Sequence, residues 1–182
     1  MIWVSLRLHA DAAFLTSTTA VILLPLFCFL YRKDQRSCSG TQDGKPGKNA
    51  VKTGIRLFEY VGIAVFGIIC NLVLGTAAGM IVTALELNNE AQESLYASSI
   101  LIQLIGIGII VPAMEEVLFR GLVYKRMKEY TGNGWTAIFA AAAIFAVYHG
   151  NLPQMLFAFP MAVIIILVYR KWNTLRAPIV FH

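Results

Sequence analysis

The sequence predicts an all-α fold, a polytopic transmembrane helical bundle of about five full spans plus the start of a sixth. Three observations carry that prediction. Of the 182 residues, 58% are hydrophobic and only 14% charged, and the mean hydropathy of +0.67 is well above that of a soluble domain. The apolar residues gather in stretches close to the ~20 that a helix needs to cross a bilayer. Between these stretches the bases fall into alternate loops, as they do in multi-pass membrane proteins.

The first span is expected at residues 12–31. Arg32 and Lys33 follow it directly and no small-residue cleavage site intervenes, so it is expected to stay as an anchor and not to be removed as a signal. Residues 32–52, rich in Gly, Lys and Ser and without apolar periodicity, are expected to form a flexible loop. A second span runs over about 61–82. The third starts near Leu95 and passes through Pro112 into an acidic motif, and the fourth (135–149) and fifth (153–169) are shorter. A sixth opens at Ala177 and stops with the chain. These boundaries divide the chain into 1–56, an amino-terminal anchor helix with a basic cytoplasmic loop, and 57–182, a transmembrane core that ends early in its last helix.

Within the spans, Gly75 and Gly79, and the alanines at 140–143, supply small side chains that let helices approach closely. Asn71 and Gln103 are expected to hydrogen-bond between helices. Cys28, Cys38 and Cys70 follow no metal-ligand or disulfide spacing and read as small core residues.

Charge orients the bundle. The first loop carries Arg32, Lys33, Arg36 and further bases against Asp34 and Asp43, whereas the second carries Glu86, Glu90 and Glu93 with no base. Lys125, Arg126 and Lys128 follow the third span, and Arg170, Lys171 and Arg176 follow the fifth. By the positive-inside rule the protein is a multi-pass protein of the cell membrane with its amino terminus outside. The net charge of +5 and pI near 9.2 then reflect bases that fall nearly all on one side of the lipid bilayer, and no nucleic-acid partner is implied.

Against this apolar background, Glu115, Glu116 and Arg120 follow directly on an apolar stretch, and His149 and His182 each sit in a later one. Ionisable groups within spans are costly in hydrocarbon and mark functional sites. Counted from the basic ends at about 1.5 Å per residue, Glu115 lies about 15 Å, His149 about 20 Å and His182 about 9 Å inside the cytoplasmic interface. All three are expected to reach one cavity that opens to the cytoplasm. Residues four apart share a helix face, so Glu116 faces Arg120 while Glu115 points about 100° away as the freer base. Two readings stand beside this one: the acids and Arg120 as a helix end in the headgroup region, and His149 as a hydrogen-bonded interfacial residue.

The run EEVLFRG at 115–121, FAVYH at 145–149 and APIVFH at 177–182 together resemble the CAAX-protease and bacteriocin-processing (CPBP, Abi) family of intramembrane endopeptidases over about the last 70 residues. The resemblance implies hydrolysis of a peptide bond in a membrane-associated peptide or protein substrate. It implies that Glu115 and His149 activate the attacking water, that His182 helps stabilise the oxyanion, and that Glu116, Arg120 and Phe145 support them. Elementary chemistry agrees, since peptide hydrolysis needs a base for the water and a donor for the developing charge. In the family an asparagine follows the last histidine by one helical turn, and this chain ends at His182. No cofactor is required on this reading.

Two other function classes use the same residues. Glu115, His149 and His182 are a possible zinc-ligand set for a metal-dependent version of the peptidase, although no His-Glu-x-x-His element occurs. A non-catalytic membrane protein of the same fold, in an immunity or partner-binding role, would line a cavity with them instead.

Overall fold

A chain segment in hydrocarbon must satisfy its own backbone polar groups, and each apolar stretch here does so as a helix. The structure, a computed structural model, describes residues 11–39, 55–88 and 90–182, and among these no strand occurs. Helix α1 spans Ala12–Ser39, α2 Leu57–Ala84 and α3 Glu90–Tyr96. One continuous helix then covers Ile102–Thr131. It consists of a first π-helical segment (Ile102–Ile110), α4 (Val111–Glu116), a second π-helical segment (Val117–Val123) and α5 (Tyr124–Thr131). Helices α6 (Gly134–Tyr148), α7 (Leu152–Trp172) and α8 (Arg176–Phe181) complete the order.

Four of these are long and apolar enough to cross a membrane: α1 as far as Arg36, α2, the helix Ile102–Thr131, and α7. The fourth expected span is the shorter apolar α6, of 15 residues. The opening of a sixth helix at Ala177 corresponds to α8.

Two expectations about the ends of spans are corrected. Residues 32–39, expected to begin the flexible loop, continue α1 as helix. Asp34 explains the extension: it is buried and ion-paired with Arg126 and, at 3.8 Å, with Lys125. The rest of that loop, residues 40–52, lies outside the described residues, as does the environment of the Cys38 side chain. The third span does not begin at Leu95, because the chain turns at 97–99 between α3 and the long helix. Gln103 closes this turn by donating at 2.8 Å to the carbonyls of both Tyr96 and Ser98, so its amide serves a local turn and not a neighbouring helix. Asp11, beside this turn, accepts from the Ser98 hydroxyl and, at 3.0 Å, from the Phe14 amide at the start of α1.

Packing brings α1 against the first π segment and α4, α6 against α5 and α7, and α2 against α7 and α8. Small residues permit the closest of these approaches. Ala141 and Ala142 of α6 and Ala158 and Ala162 of α7 are fully or almost fully buried in one core with Phe119, Phe145 and Ile166. A β-carbon at Gly106 would overlap the Ser17 hydroxyl of α1. Gly75 and Gly79 behave otherwise: the space over both is open, and Asn71 on the same helix is exposed and has no hydrogen bond among the described residues. The close approach on α2 occurs instead at Gly67, over which the backbone of Phe181 passes.

Candidate active site

The site is assembled by three helices. The long helix supplies Glu115 and Glu116 at the end of α4, and Arg120 in the second π segment. All three are buried, with Glu116 and Arg120 at 0% and 1% exposure. Flanking π segments are confirmed by the amides of Val111 and Tyr124, which bond five residues back, to Gly106 and Phe119. Segments of this kind, inserted in an α-helix, are frequent at functional sites. Helix α6 supplies Phe145 and ends with His149 as its carboxyl cap. Gly150 follows at φ +73°, a conformation that suits glycine, and Asn151 then caps α7 by accepting from the Gln154 amide at 2.9 Å. Helix α8 supplies Phe181 and, at its end, His182.

Glu116 and Arg120 pair as the four-residue spacing predicts, with Arg120 Nε 3.0 Å from Glu116 Oε2. The contact is an ion pair without good hydrogen-bond geometry, and no guanidinium nitrogen finds a hydrogen-bond partner among the described residues. The guanidinium lies over the Phe145 ring, with Cζ 4.7 Å from the ring centroid, which gives its charge a second, aromatic partner. Phe145 is fixed from the other side by Phe119, edge to face at 4.8 Å. Glu116, Arg120 and Phe145 thus form one continuous contact chain.

Glu116 is not neutralised by Arg120 alone. Its second oxygen, Oε1, accepts from His182 Nδ1 at 2.9 Å, while His182 Nε2 lies 3.9 Å from Glu115 Oε2. His182 therefore sits between both acids, and the separation between Glu115 and Glu116 is bridged by a residue 66 positions beyond Glu116. At 3.9 Å Glu115 and His182 are too far apart for a direct hydrogen bond, and both remain free to engage a third group. With Nδ1–H given to Glu116, Nε2 is the ring position left on the Glu115 side.

His149 is held differently. Its Nδ1 lies 2.9 Å from the Phe145 carbonyl oxygen, which only accepts, so Nδ1 carries a proton and, when the ring is neutral, Nε2 presents the lone pair. The ring packs edge to face on Phe145 (4.9 Å) and on Tyr148 (5.8 Å). Phe145 also faces the His182 ring at 6.5 Å, so both histidines flank one aromatic ring. Among the described residues no group of three His, Cys, Asp or Glu side chains is drawn together closely enough to hold a metal ion.

Sequence reasoning missed the groups that hold this arrangement in place from outside the motifs. Tyr31 of α1 packs where a β-carbon at Gly121 would stand and lies under Lys125, whose Nζ is 4.9 Å from the ring centroid. With Asp34 it clamps α1 to the helix that bears the acids. An acid alone among the bases following a span was the one signal of this contact in the sequence.

Comparison with curated proteins and with solved structures gives no match. A family model does match, described as Type II CAAX prenyl endopeptidase Rce1-like, over residues 97–182. That segment begins just before the first π segment and includes Glu115, Glu116, Arg120, Phe145, His149 and His182. Over residues 97–182, just under half of the chain, this membrane protein is thus similar to the Rce1-like type II CAAX prenyl endopeptidases.

Proposed function

We propose that the protein is an intramembrane endopeptidase that hydrolyses a peptide bond of a membrane-associated peptide or protein, with water activated by Glu115 and His149. The observation that carries this reading is the meeting of Glu115, Glu116 and His182 on helices of a membrane protein, within the segment that matches the family. Glu115 takes a proton from water as the hydroxide attacks the scissile carbonyl carbon. The free Nε2 of His149 holds the same water or passes the proton to the leaving amine. His182, seated against Glu116, donates to the oxyanion when its Nε2 is protonated. Collapse of the tetrahedral intermediate expels the amine, which leaves with the proton first taken from water. No metal takes part.

Glu116, Arg120 and Phe145 act as the frame. Arg120 fixes the acid that orients His182, and Phe145 supports both Arg120 and the two imidazoles. The site opens toward the basic, cytoplasmic face of the cell membrane, and the amino terminus lies outside. The family's name makes a prenylated carboxyl-terminal peptide the first substrate to try.

The test is cleavage of such a peptide by the protein reconstituted in liposomes. His149→Ala is expected to lower the rate by about 10²- to 10⁴-fold, as for loss of an acid–base group, and chelators are expected to leave the rate unchanged. Full activity of His149→Ala, or loss of activity with a chelator and its return with zinc, would overturn the proposal.

A further inference from the structure

We infer that Gly67 of α2 is a positioning residue for His182, seating Phe181 of α8 at the depth where the following imidazole meets Glu116 and Glu115. This rests on the proteolytic reading above but not on the family match, because Gly67 lies well before residue 97.

Helix α8 carries Phe181 and leads directly into His182. Its last residue, Phe181, is buried and packs in one core with Ile63 and Cys70 of α2 and with Met161, Ile165 and Val168 of α7. At that point the two backbones nearly touch. A β-carbon at Gly67 would overlap the Phe181 carbonyl oxygen and stand 3.0 Å from its carbonyl carbon and 3.2 Å from its Cα. These are backbone atoms, which cannot swing aside as a side-chain tip can. The other glycines of α2, Gly62, Gly75 and Gly79, have nothing within 4 Å of the same position, so Gly67 alone on this helix is closed over. The Phe66 ring meets the Phe181 ring edge to face at 5.5 Å and holds the same residue from the adjacent position.

His182 follows Phe181 directly, so whatever sets the Phe181 backbone sets the imidazole. Its Nδ1 is 2.9 Å from Glu116 and its Nε2 3.9 Å from Glu115, distances that a shift of about 1 Å would break. Alanine at Gly67 forces a shift of that order. Misplacement on this scale costs about 10²-fold in rate where the group takes part in the chemistry.

Gly67→Ala is therefore expected to lower kcat about 10- to 100-fold with KM within about 2-fold, the signature of a lost transition-state contact. Gly75→Ala makes the same change of residue on the same helix in open space, and it is expected to leave cleavage unchanged. In a His182→Ala background Gly67→Ala is expected to cost nothing more, because the residue it positions is gone. An equal loss with and without His182, or no loss at all, overturns the inference. Phe66→Leu, a milder change at a half-exposed residue, is expected to give a loss of a few-fold that also vanishes with His182→Ala. It serves if Gly67→Ala does not fold.

A second measurement needs no activity. With Cys28, Cys38 and Cys70 replaced by alanine, the pair Glu116→Cys and His182→Cys is treated with dibromobimane, which fluoresces on bridging two thiols. The bridge is expected with Gly67 and not with Gly67→Ala. Equal bridging in both overturns the inference even if no substrate is cleaved, whereas loss of the bridge in a protein inactive toward every peptide sustains it and removes the proteolytic reading.

Discussion

Removing Arg120 tests whether the acid pair is held by a buried charge. The guanidinium is 1% exposed, and the Glu116 carboxylate beside it is fully buried. Arg120→Met keeps the unbranched stem of the side chain as far as the Nε position but leaves Glu116 without its cation. Breaking a buried ion pair from one side costs about 3–5 kcal/mol, because the remaining charge stays desolvated and unpaired. Two features place this case near the lower bound. His182 still reaches Glu116 at 2.9 Å, and the pair as it stands lacks good hydrogen-bond geometry. Loss of the guanidinium from the Phe145 face acts in the opposite direction, by roughly 0.5–2 kcal/mol. The expected loss is about 3 kcal/mol, or roughly 10²-fold in the folded-to-unfolded ratio. The assay is reversible unfolding by SDS in mixed micelles, followed by tryptophan fluorescence. Glu116→Gln with Arg120→Met removes both charges and is expected to recover more than half of the loss. A cost below about 1 kcal/mol for Arg120→Met, or a double variant as unstable as the sum of the single ones, would refute the reasoning.

Other consequences can be measured in the same unfolding assay. Gly106→Ala is expected to destabilise by about 1–3 kcal/mol through the overlap with Ser17, and Ser17→Gly is expected to restore most of it. Asp34→Asn is expected to cost about 1 kcal/mol, since one partner, Arg126, is largely exposed and the pair is partly screened. Asp11→Ala removes the cap on α1 and is expected to cost about 0.5–2 kcal/mol at pH 7. The Ser98 hydroxyl and then the Phe14 amide hold the Asp11 carboxyl below its usual range, so this contribution is full above about pH 3.9 and is lost as pH falls through the folded pKa. A difference between Asp11 and Asp11→Ala that persisted below that window would contradict the assignment.

The helices and the ionisable side chains of the candidate site were legible in the sequence for one reason, which is that hydrocarbon leaves few options. Long apolar runs must be helices, and an acid pair or a histidine within them stands out by its cost. What the runs do not encode is which face meets another helix. In a membrane the lipid-facing and the buried sides are equally apolar, so the periodicity that orients a soluble helix is absent. Gly75 and Gly79 therefore looked like a contact and face open space, while Gly67, on the same helix and no different in composition, receives the Phe181 backbone. The pairing of Glu116 with Arg120 could be read from a spacing of four, but its bond to His182 spans 66 residues and depends on where α8 comes to rest. The two π segments left no signal either, because nothing in an apolar run separates bonds to the fifth residue from bonds to the fourth. Asp34 is the intermediate case. Its charge marked it as unusual among bases, but its partners on α5 became visible only with the fold.

The central claim is that Glu115 is the base that activates water, and the most direct measurement is the cleavage rate of Glu115→Gln in liposomes, with SDS unfolding as the control for folding. The side chain keeps its size and loses only the ability to take a proton. A fall of about 10²- to 10⁴-fold in kcat at unchanged stability is the result predicted, and cleavage at the wild-type rate would contradict it.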